Sequence, residues 1–228
     1  NGQARFDTAR LASGGFGSAY LASEGSIRFD GKLDIALDHQ LRLDAPTFSA
    51  KSDATDLRLT AAAVQIGNFS RAVAAPDTPA VGNGRAHVNA LDIGLVGAFA
   101  WSGFGHSQFV SGGEIHFDGV TNTVTNRTDG RQINGQMKGA GAVEFAASRL
   151  SPATWSNFTV DFLSDPASRI EITRTGTPTA PLLSGGGLIE FAANTINHRG
   201  RVEAPQGEIR FSAPASGGKV TLEDGSVS

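Results

Sequence analysis

The amino-acid sequence predicts a right-handed parallel β-helix, in which short strands stack as successive rungs of one coil. The main observation is a pattern of an aliphatic residue, a polar residue and a phenylalanine. Residues i and i+2 share one face of a strand, so each copy should bury its aliphatic and Phe side chains and expose the residue between them. The pattern occurs five times, at Ile27-Arg28-Phe29, Ile115-His116-Phe117, Val143-Glu144-Phe145, Ile189-Glu190-Phe191 and Ile209-Arg210-Phe211.

The spacing of the copies is the second observation. Glu190 and Arg210 are 20 positions apart, and Glu144 and Glu190 are 46 apart, which fits multiples of a rung of roughly 20 to 23 residues. Each strand is too small to bury its own apolar face, and stacked rungs would bury it against the neighbours above and below. A β-sandwich is the alternative, because the same alternation suits two packed antiparallel sheets. The recurrence favours the solenoid.

Composition is the third observation: 29 glycines among 228 residues and 18% charged residues suit many short strands joined by tight turns. Alternation marks strands along most of the chain, and helical periodicity is almost absent. The predicted strand positions, in order, are Ile27/Phe29, Leu33/Ile35/Leu37, Leu41/Leu43, Phe48, Leu57/Leu59, Val64/Ile66, Val88, Leu91/Ile93/Leu95, Phe99, Ile115/Phe117, Val120, Val124, Ile133, Val143/Phe145, Val160/Phe162, Ile170/Ile172, Leu188, Ile196, Val202, Ile209/Phe211 and Val220/Leu222.

Three stretches interrupt the alternation and are rich in turn formers. They predict loop insertions at residues 72–85, 121–138 and 174–181 of a single solenoid that spans residues 1–228. Within the second, Asn122, Asn126, Asp129 and Gly130 give the composition of a projecting loop.

Charge and cysteine content exclude several functions. The net charge is −3, from 19 basic and 22 acidic residues, with no basic run to neutralise a row of phosphates, so nucleic acid is not an expected partner. No apolar stretch reaches the roughly 18 to 20 residues that a membrane-spanning helix needs. The absence of cysteine removes disulfides, thiolate metal sites and cysteine nucleophiles.

Neither a metal site nor a catalytic site is predicted, and no cofactor is expected. None of the five histidines has another at ligand spacing. If the five motifs occupy equivalent positions on successive rungs, their polar residues carry charges of both signs. Mixed charges are typical of a solvated face. A polysaccharide lyase or hydrolase would instead place carboxylates opposite each other. Those positions are Arg28, His116, Glu144, Glu190 and Arg210.

Aromatic residues supply the best candidate for a recognition surface, formed by Trp101, Phe104 and Trp155. Small residues surround Trp101 in the sequence Ala100-Trp101-Ser102-Gly103 and would leave the indole exposed for stacking on a sugar or a partner. The alternative is that these side chains fill the core of a rung.

Both ends of the chain resemble the filamentous haemagglutinin family of large secreted bacterial exoproteins. In that family a phrase of the type aliphatic-Asn-x-x-Gly-x-aliphatic-x-Ala-Pro-x-Gly-x-Ile marks successive rungs. Residues 185–211 carry it as Ile196-Asn197-His198-Arg199-Gly200-Arg201-Val202-Glu203-Ala204-Pro205-Gln206-Gly207-Glu208-Ile209. Residues 218–228 and the stretch from Gly14 to Pro46 are similar to the family in the same way.

The resemblance implies a right-handed parallel β-helix that is exported by two-partner secretion, through an outer-membrane transporter, and is secreted or held at the bacterial cell surface. It also implies a non-enzymatic role in adhesion to a host-cell or surface receptor, with carbohydrate as one receptor class. No match to the family's amino-terminal secretion domain is present, so the chain is expected to be an interior or carboxy-terminal part of a longer product. A carbohydrate-active β-helix or a carbohydrate-binding module is the alternative.

The ends also predict self-association. Nothing at residues 1–7 or 224–228 resembles an amphipathic capping helix, and an uncapped solenoid exposes backbone and apolar side chains at its last rung. End-to-end contacts are therefore expected near Phe6 and Val220/Leu222.

Overall fold

The computed structural model describes residues 7–69, 78–121 and 133–228, which form a β-solenoid with one short helix. The first half contains α1 Thr8–Ser13, β1 Ser18–Ala22, β2 Ser26–Phe29, β3 Lys32–Ala36, β4 Gln40–Asp44, β5 Thr47–Ala50, β6 Asp56–Gly67, β7 Gly84–Val96, β8 Ala98–Ser102 and β9 Phe104–Asp118. The second half contains β10 Val120–Thr121, β11 Ile133–Gly139, β12 Ala142–Ala147, β13 Arg149–Pro152, β14 Ser156–Asp161, β15 Arg169–Arg174, β16 Leu188–Ala192, β17 Thr195–His198, β18 Glu208–Ser212 and β19 Lys219–Leu222.

The strands fall on three faces of the coil. Face 1 consists of β3, the first halves of β6, β7 and β9, and then β12, β15, β17 and β19. Face 2 consists of β1, β4, the second halves of β6, β7 and β9, and then β13. Face 3 consists of β2, β5, β8, β11, β14, β16 and β18.

These neighbours pair in parallel, and the short β10–β11 pair is the antiparallel exception among the described strands. The predicted parallel β-helix is therefore confirmed. The alternative β-sandwich is wrong, since its strands would run antiparallel within each sheet. The longest path crosses nine strands, which corresponds to a stack about 40 Å long at the usual strand spacing.

The rungs are less uniform than predicted. On face 1 the register step is 21 residues between Arg85 and His106 but 36 between His106 and Ala142. The five motifs consequently lie on different faces, with Phe145 on face 1, Phe117 on face 2 and the other three on face 3. The prediction that their polar positions form one set of equivalent slots is wrong, because alternation fixes which side chain points inward but not which face it joins.

The phenylalanines meet inside the coil. Phe117 lies 5.8 Å from Phe145, 5.3 Å from Phe158 and 5.8 Å from Phe191, measured between ring centroids. These rings come from all three faces, so the aromatic cluster ties the faces together across the core. Four of the five motif phenylalanines are buried as predicted, and Phe211, near the end of the stack, is partly buried.

Two connections do not interrupt the ladders that they pass. β5 pairs directly with β8, so the chain between β6 and β7 adds no rung to face 3. Leu150 bridges Val202, so residues 175–187 add no rung to face 2. This second segment contains most of the predicted insertion at 174–181.

The other two predicted insertions lie partly outside the described residues, at 70–77 and 122–132. Their described ends correct the predicted boundaries. Gly84 and Arg85 belong to β7, and residues 133–138 belong to β11.

The two ends of the solenoid differ. α1 packs against β3 and buries Leu11, so a helix that the sequence did not predict covers part of the amino-terminal end. At the other end Val220 and Leu222 occupy inward positions next to Ile196 and His198, but they remain 39% and 59% exposed. The expectation that residues 1–7 form no capping helix stays untested, because residues 1–6 lie outside the described part of the chain and α1 begins at Thr8. Association through the last rung stays a prediction, and Phe6 lies outside the described residues.

Within the described part of the chain, no helix is both long enough and apolar enough to cross a membrane.

Replacing Gly139 by Ala should destabilise the solenoid by about 1–3 kcal/mol, the usual cost of overpacking a core. A Cβ at this position would overlap the ring of Phe162, which is fully buried. Gly176→Ala is the matched control, since nothing lies within 4 Å of its added Cβ. Denaturant unfolding of both variants measures the difference, and equal free energies of unfolding would contradict the packing.

Candidate functional site

The outward side of face 2 carries a cluster of charged side chains. β9 contributes Glu114, His116 and Asp118, which alternate with the buried Ile115 and Phe117. The register places Glu114 beside Asp92 of β7 on one side and Arg149 of β13 on the other, and places Ser151 beside His116. Parallel stacking thus brings together residues that are far apart in the sequence.

Arg149 is the centre of an ion network. Its side chain is buried, and its guanidinium contacts the carboxylate of Glu114 and donates a hydrogen bond to Glu203 Oε2 at 3.2 Å. Arg201 pairs with the other oxygen of Glu203. A buried guanidinium is tolerated only when such partners compensate the lost hydration, so the two carboxylates hold Arg149 in the folded protein.

His116 and Asp118 have shifted ionisation. The Nε2 atom of His116 lies 3.0 Å from Asp92 Oδ1, and this hydrogen bond raises the pKa of His116 above its usual value of 6.5. Burial raises the pKa of Asp118, and the neighbouring His116 offsets part of that effect. Both residues are half-buried, so they combine limited solvent contact with access to the surface.

The segment 177–184 lies over this cluster and forms the second wall of a groove. Arg149 Nη1 donates a hydrogen bond to the Ala180 carbonyl at 3.2 Å, which anchors the segment to face 2. The groove has a volume of 440 Å³. Its lining comprises Glu114, His116, Asp118 and Arg149 to Thr154 on the solenoid, apart from the inward Leu150, and Ala180 to Ser184 on the segment.

Three buried polar atoms of the groove have no hydrogen-bond partner. They are the Nε atom of Arg149, the Oγ atom of Ser151 and the Oγ atom of Ser184. The side chains of Arg149 and Ser151 are only 4% and 1% exposed. A buried donor without a partner costs about 1–3 kcal/mol, and native proteins contain few of them. All three atoms are enclosed by protein, so a ligand seated in the open groove does not reach them.

Trp155 follows Thr154, which lines the groove, but it is not itself part of the lining. Its backbone has a φ of 57°, a conformation that bulky residues rarely adopt. Its N–H donates to the Gly185 carbonyl at 3.1 Å, and the indole lies over Gly186. The side chain is nevertheless 64% exposed, so an aromatic surface is presented to solvent.

The predicted partners of Trp155 are elsewhere. Trp101 and Phe104 are buried, and their rings stack with centroids 4.6 Å apart. The prediction that they form an exposed surface is wrong, and the alternative, that they fill the core, is confirmed. Trp101 points inward on face 3 and donates from its indole N–H to Ser107 Oγ at 2.9 Å, which satisfies its polar atom inside the coil.

A second polar cluster lies nearer the amino-terminal end of face 2. The guanidinium of Arg42 lies 5.0 Å from the ring centroid of Tyr20 and 3.7 Å from that of Phe69. Asp44 accepts hydrogen bonds from the Tyr20 hydroxyl at 2.7 Å and the Phe69 N–H at 3.1 Å. The hydrogen bond to Asp44 raises the pKa of Tyr20. The two aromatic rings and the carboxylate therefore hold Arg42 at the surface of the coil.

The sequence predicts the exposure of Trp155 but does not predict the groove. One signal was present in β9, where Glu114, His116 and Asp118 place three ionisable groups on the outward side of one strand. No local signal relates them to Arg149 or Ser184, because the contact depends on register and on the path of the 177–184 segment. Across the described residues, no group of three His, Asp or Glu side chains is arranged to hold a metal ion.

Comparisons with protein-family models, curated proteins and solved structures find no match to this chain. The resemblance to the filamentous haemagglutinin family accordingly stays a prediction.

Replacing Arg149 by Leu should lower the free energy of unfolding by about 3 kcal/mol or more, because Glu114 would lose its guanidinium partner and Glu203 would keep only Arg201. Arg169→Leu is the control: it breaks a solvent-exposed pair with Glu171 and should cost about 0–1 kcal/mol. Urea unfolding separates the two cases. Similar losses in both variants would show that the buried network contributes little.

His116 gives a pH-dependent prediction. Because its pKa is raised in the folded state, its contribution to stability is complete below pH 6.5 and is lost as the pH rises through the folded pKa. Asp92→Asn should lower the pKa of His116 and should destabilise the protein more at pH 6 than at pH 8.5.

Nuclear magnetic resonance titration of the imidazole signals measures this directly. His198 is the internal control, since burial lowers its pKa and it lies away from Asp92. A wild-type His116 that titrates at or below pH 6.5 would contradict the assignment.

Proposed function

We propose that this chain is a structural and display segment of a secreted or surface-bound bacterial adhesin. The observation that carries the proposal is that the chain between β6 and β7 adds no strand to the ladder of face 3, and residues 175–187 add none to that of face 2. β5 pairs with β8 and Leu150 with Val202, so the rungs below and above each excursion remain in contact. Such a coil can hold variable segments at fixed positions while its backbone ladders preserve the fold.

The distribution of exposed apolar groups supports the same role. Leu183, on the second excursion, is 92% exposed, and Trp155, whose N–H donates to the Gly185 carbonyl, is also exposed. Large apolar side chains in solvent are a common feature of surfaces that meet a partner. The expected partner is a host-cell or surface receptor, and the resemblance described above supports export through an outer-membrane transporter.

One observation favours a second candidate, a carbohydrate-active β-helix. Asp118 has a raised pKa and lies two residues from His116 in a groove, which is the combination that general acid–base catalysis requires. Release of reducing or unsaturated ends from a polysaccharide, lost in Asp118→Asn, would replace the adhesin proposal with this one.

The adhesin proposal is tested by attachment of the fluorescently labelled chain to epithelial cell layers. We expect saturable attachment that falls about tenfold when residues 177–183 are replaced by seven Gly and Ser residues. The control replaces residues 214–216, in the exposed turn between β18 and β19, by three glycines, and it should attach like the wild type. Absence of saturable attachment by the wild type, or equal attachment of both replacements, would count against a display role for this segment.

A further inference from the structure

We propose that residues 223–228, hereafter the clasp, close the carboxy-terminal end of face 2 and open in acid, and that the neutral imidazole of His198 holds them closed. The clasp follows β19, and its Val227 forms a parallel bridge with Arg201, on the outermost pass of face 2. Acid opens the clasp while the rest of the coil stays folded. This change of shape does not depend on an adhesin role.

His198 is a core residue that has polar partners. It is fully buried at an inward position of β17, and its ring stacks on Phe211 with centroids 5.2 Å apart. Its inward neighbours on the adjacent strands of face 1 are Ile172 and Leu222. Apolar surroundings of this kind favour a neutral imidazole, because they cannot replace the hydration of a charge.

The hydrogen bonds of His198 select one form of the ring. Nδ1 lies 3.4 Å from the backbone N of Gly200, and Nε2 lies 3.3 Å from the carbonyl oxygen of Val227. A backbone N–H can only donate and a carbonyl can only accept. Nδ1 must therefore be unprotonated, and Nε2 must carry the proton that it donates to Val227. A second proton, on Nδ1, would face the N–H of Gly200.

Two side chains and the backbone ladder hold the clasp in place. The Val227 carbonyl also accepts from the Val202 N–H at 2.8 Å, and the Val227 N–H donates to the Gly200 carbonyl at 3.1 Å. Arg174 Nη2 donates to the Gly225 carbonyl at 3.1 Å. The imidazole of His198 and the guanidinium of Arg174 thus anchor the same short segment.

The charges near His198 oppose its protonation. Burial lowers its pKa, the hydrogen bond to Val227 offsets part of this effect, and the positive charge of Arg174 lowers the pKa further. The acidic groups of the clasp, Glu223 and Asp224, are exposed to solvent, which screens them. Alternation directs the other charged side chains of the strands around the ring away from the core, namely Arg169, Glu171, Glu208, Arg210 and Lys219.

The direction of the pH effect follows from the lowered pKa. His198 stabilises the clasp fully above pH 6.5, and this contribution is lost as the pH falls below 6.5 toward the folded pKa. The clasp opens first because most of its residues are exposed, and segments with little buried apolar surface open at the lowest free energy. Lifting Val227 admits water to the imidazolium and separates it from Arg174.

Opening changes the surface at this end of the coil. Val227 and Ser228 form part of the lining of a cavity of 770 Å³, together with Val202, Ile209 and residues 177–182. When the clasp lifts, the cavity loses this wall, and the carbonyl of Gly200 and the N–H of Val202 lose their partner in the clasp. The end of face 2 is therefore closed at neutral pH and open in acid.

Hydrogen exchange of the whole chain, followed by nuclear magnetic resonance, tests the clasp. The protection factors of the Val202 and Val227 amides, which correct for the intrinsic effect of pH on exchange, should fall roughly tenfold between pH 7.5 and pH 5, since one unit of pKa shift is a factor of ten. The loss should begin near pH 6.5. The Val143 amide, between two strands of face 1, should keep its protection.

Two matched substitutions identify the titrating group. His198→Gln keeps a donor for the Val227 carbonyl and takes up no proton in this range, so the two amides should be equally protected at pH 7.5 and pH 5. His39→Gln makes the same change at an exposed histidine and should behave like the wild type. If His198→Gln leaves the clasp open at both pH values, the wild-type titration of the His198 ring decides, and it must lie below pH 6.5.

Three results would overturn the proposal. In the first, the wild-type Val202 and Val227 amides are equally protected at both pH values. In the second, Val143 loses protection by the same factor, which would mean that the whole coil opens. In the third, His198→Gln retains the pH dependence or the wild-type His198 titrates at or above pH 6.5.

Discussion

The in-register parallel stacking of rungs is the constraint on which the rest of this structure depends. Strands in the interior of the stack share their backbone hydrogen bonds with the rungs on both sides, so each of their inward side chains must fit the ones directly above and below it. Face 2 shows the consequence in a column of fully buried aliphatic side chains, Leu41, Val64, Ile93, Ile115, Leu150 and Val202. The same rule lets a phenylalanine spread over a neighbouring glycine, as Phe162 does over Gly139.

Stacking also creates the polar groove. Outward side chains have no core to fill, yet register still fixes which of them are neighbours. Glu114, Arg149 and Glu203 come from three separate passes of the chain and form one ion network because each occupies the same side of face 2. The network then fixes the 177–184 segment through the Ala180 carbonyl. The buried Arg149 therefore stabilises the coil and also holds the wall of the groove in place.

The excursions explain how a regular coil acquires a specific surface. A segment that leaves the ladder costs little if the rungs on either side can pair directly, as β5 does with β8. Such a segment is then free to carry side chains that a rung would not tolerate, including the exposed Leu183. Strands that build the ladders and segments that bypass them are in this way separated along the chain, and the proposed display role concerns the second group.

The sequence by itself determined the fold class and the inward direction of most core residues. Strand alternation is a local property of the chain, and the Ile-x-Phe pattern shows which residues of a strand are buried. The sequence also identified Trp155 as a candidate for recognition. Only the tertiary structure decided which face each strand joins, since rungs of unequal length shift the register in a way that no local pattern records. Trp101 was misassigned for a different reason: its small neighbours suggest exposure, whereas its alternation with Phe99 on β8 places both side chains inside the coil. The groove likewise exists only once stacking brings Arg149 to Glu114 and the 177–184 segment returns across face 2.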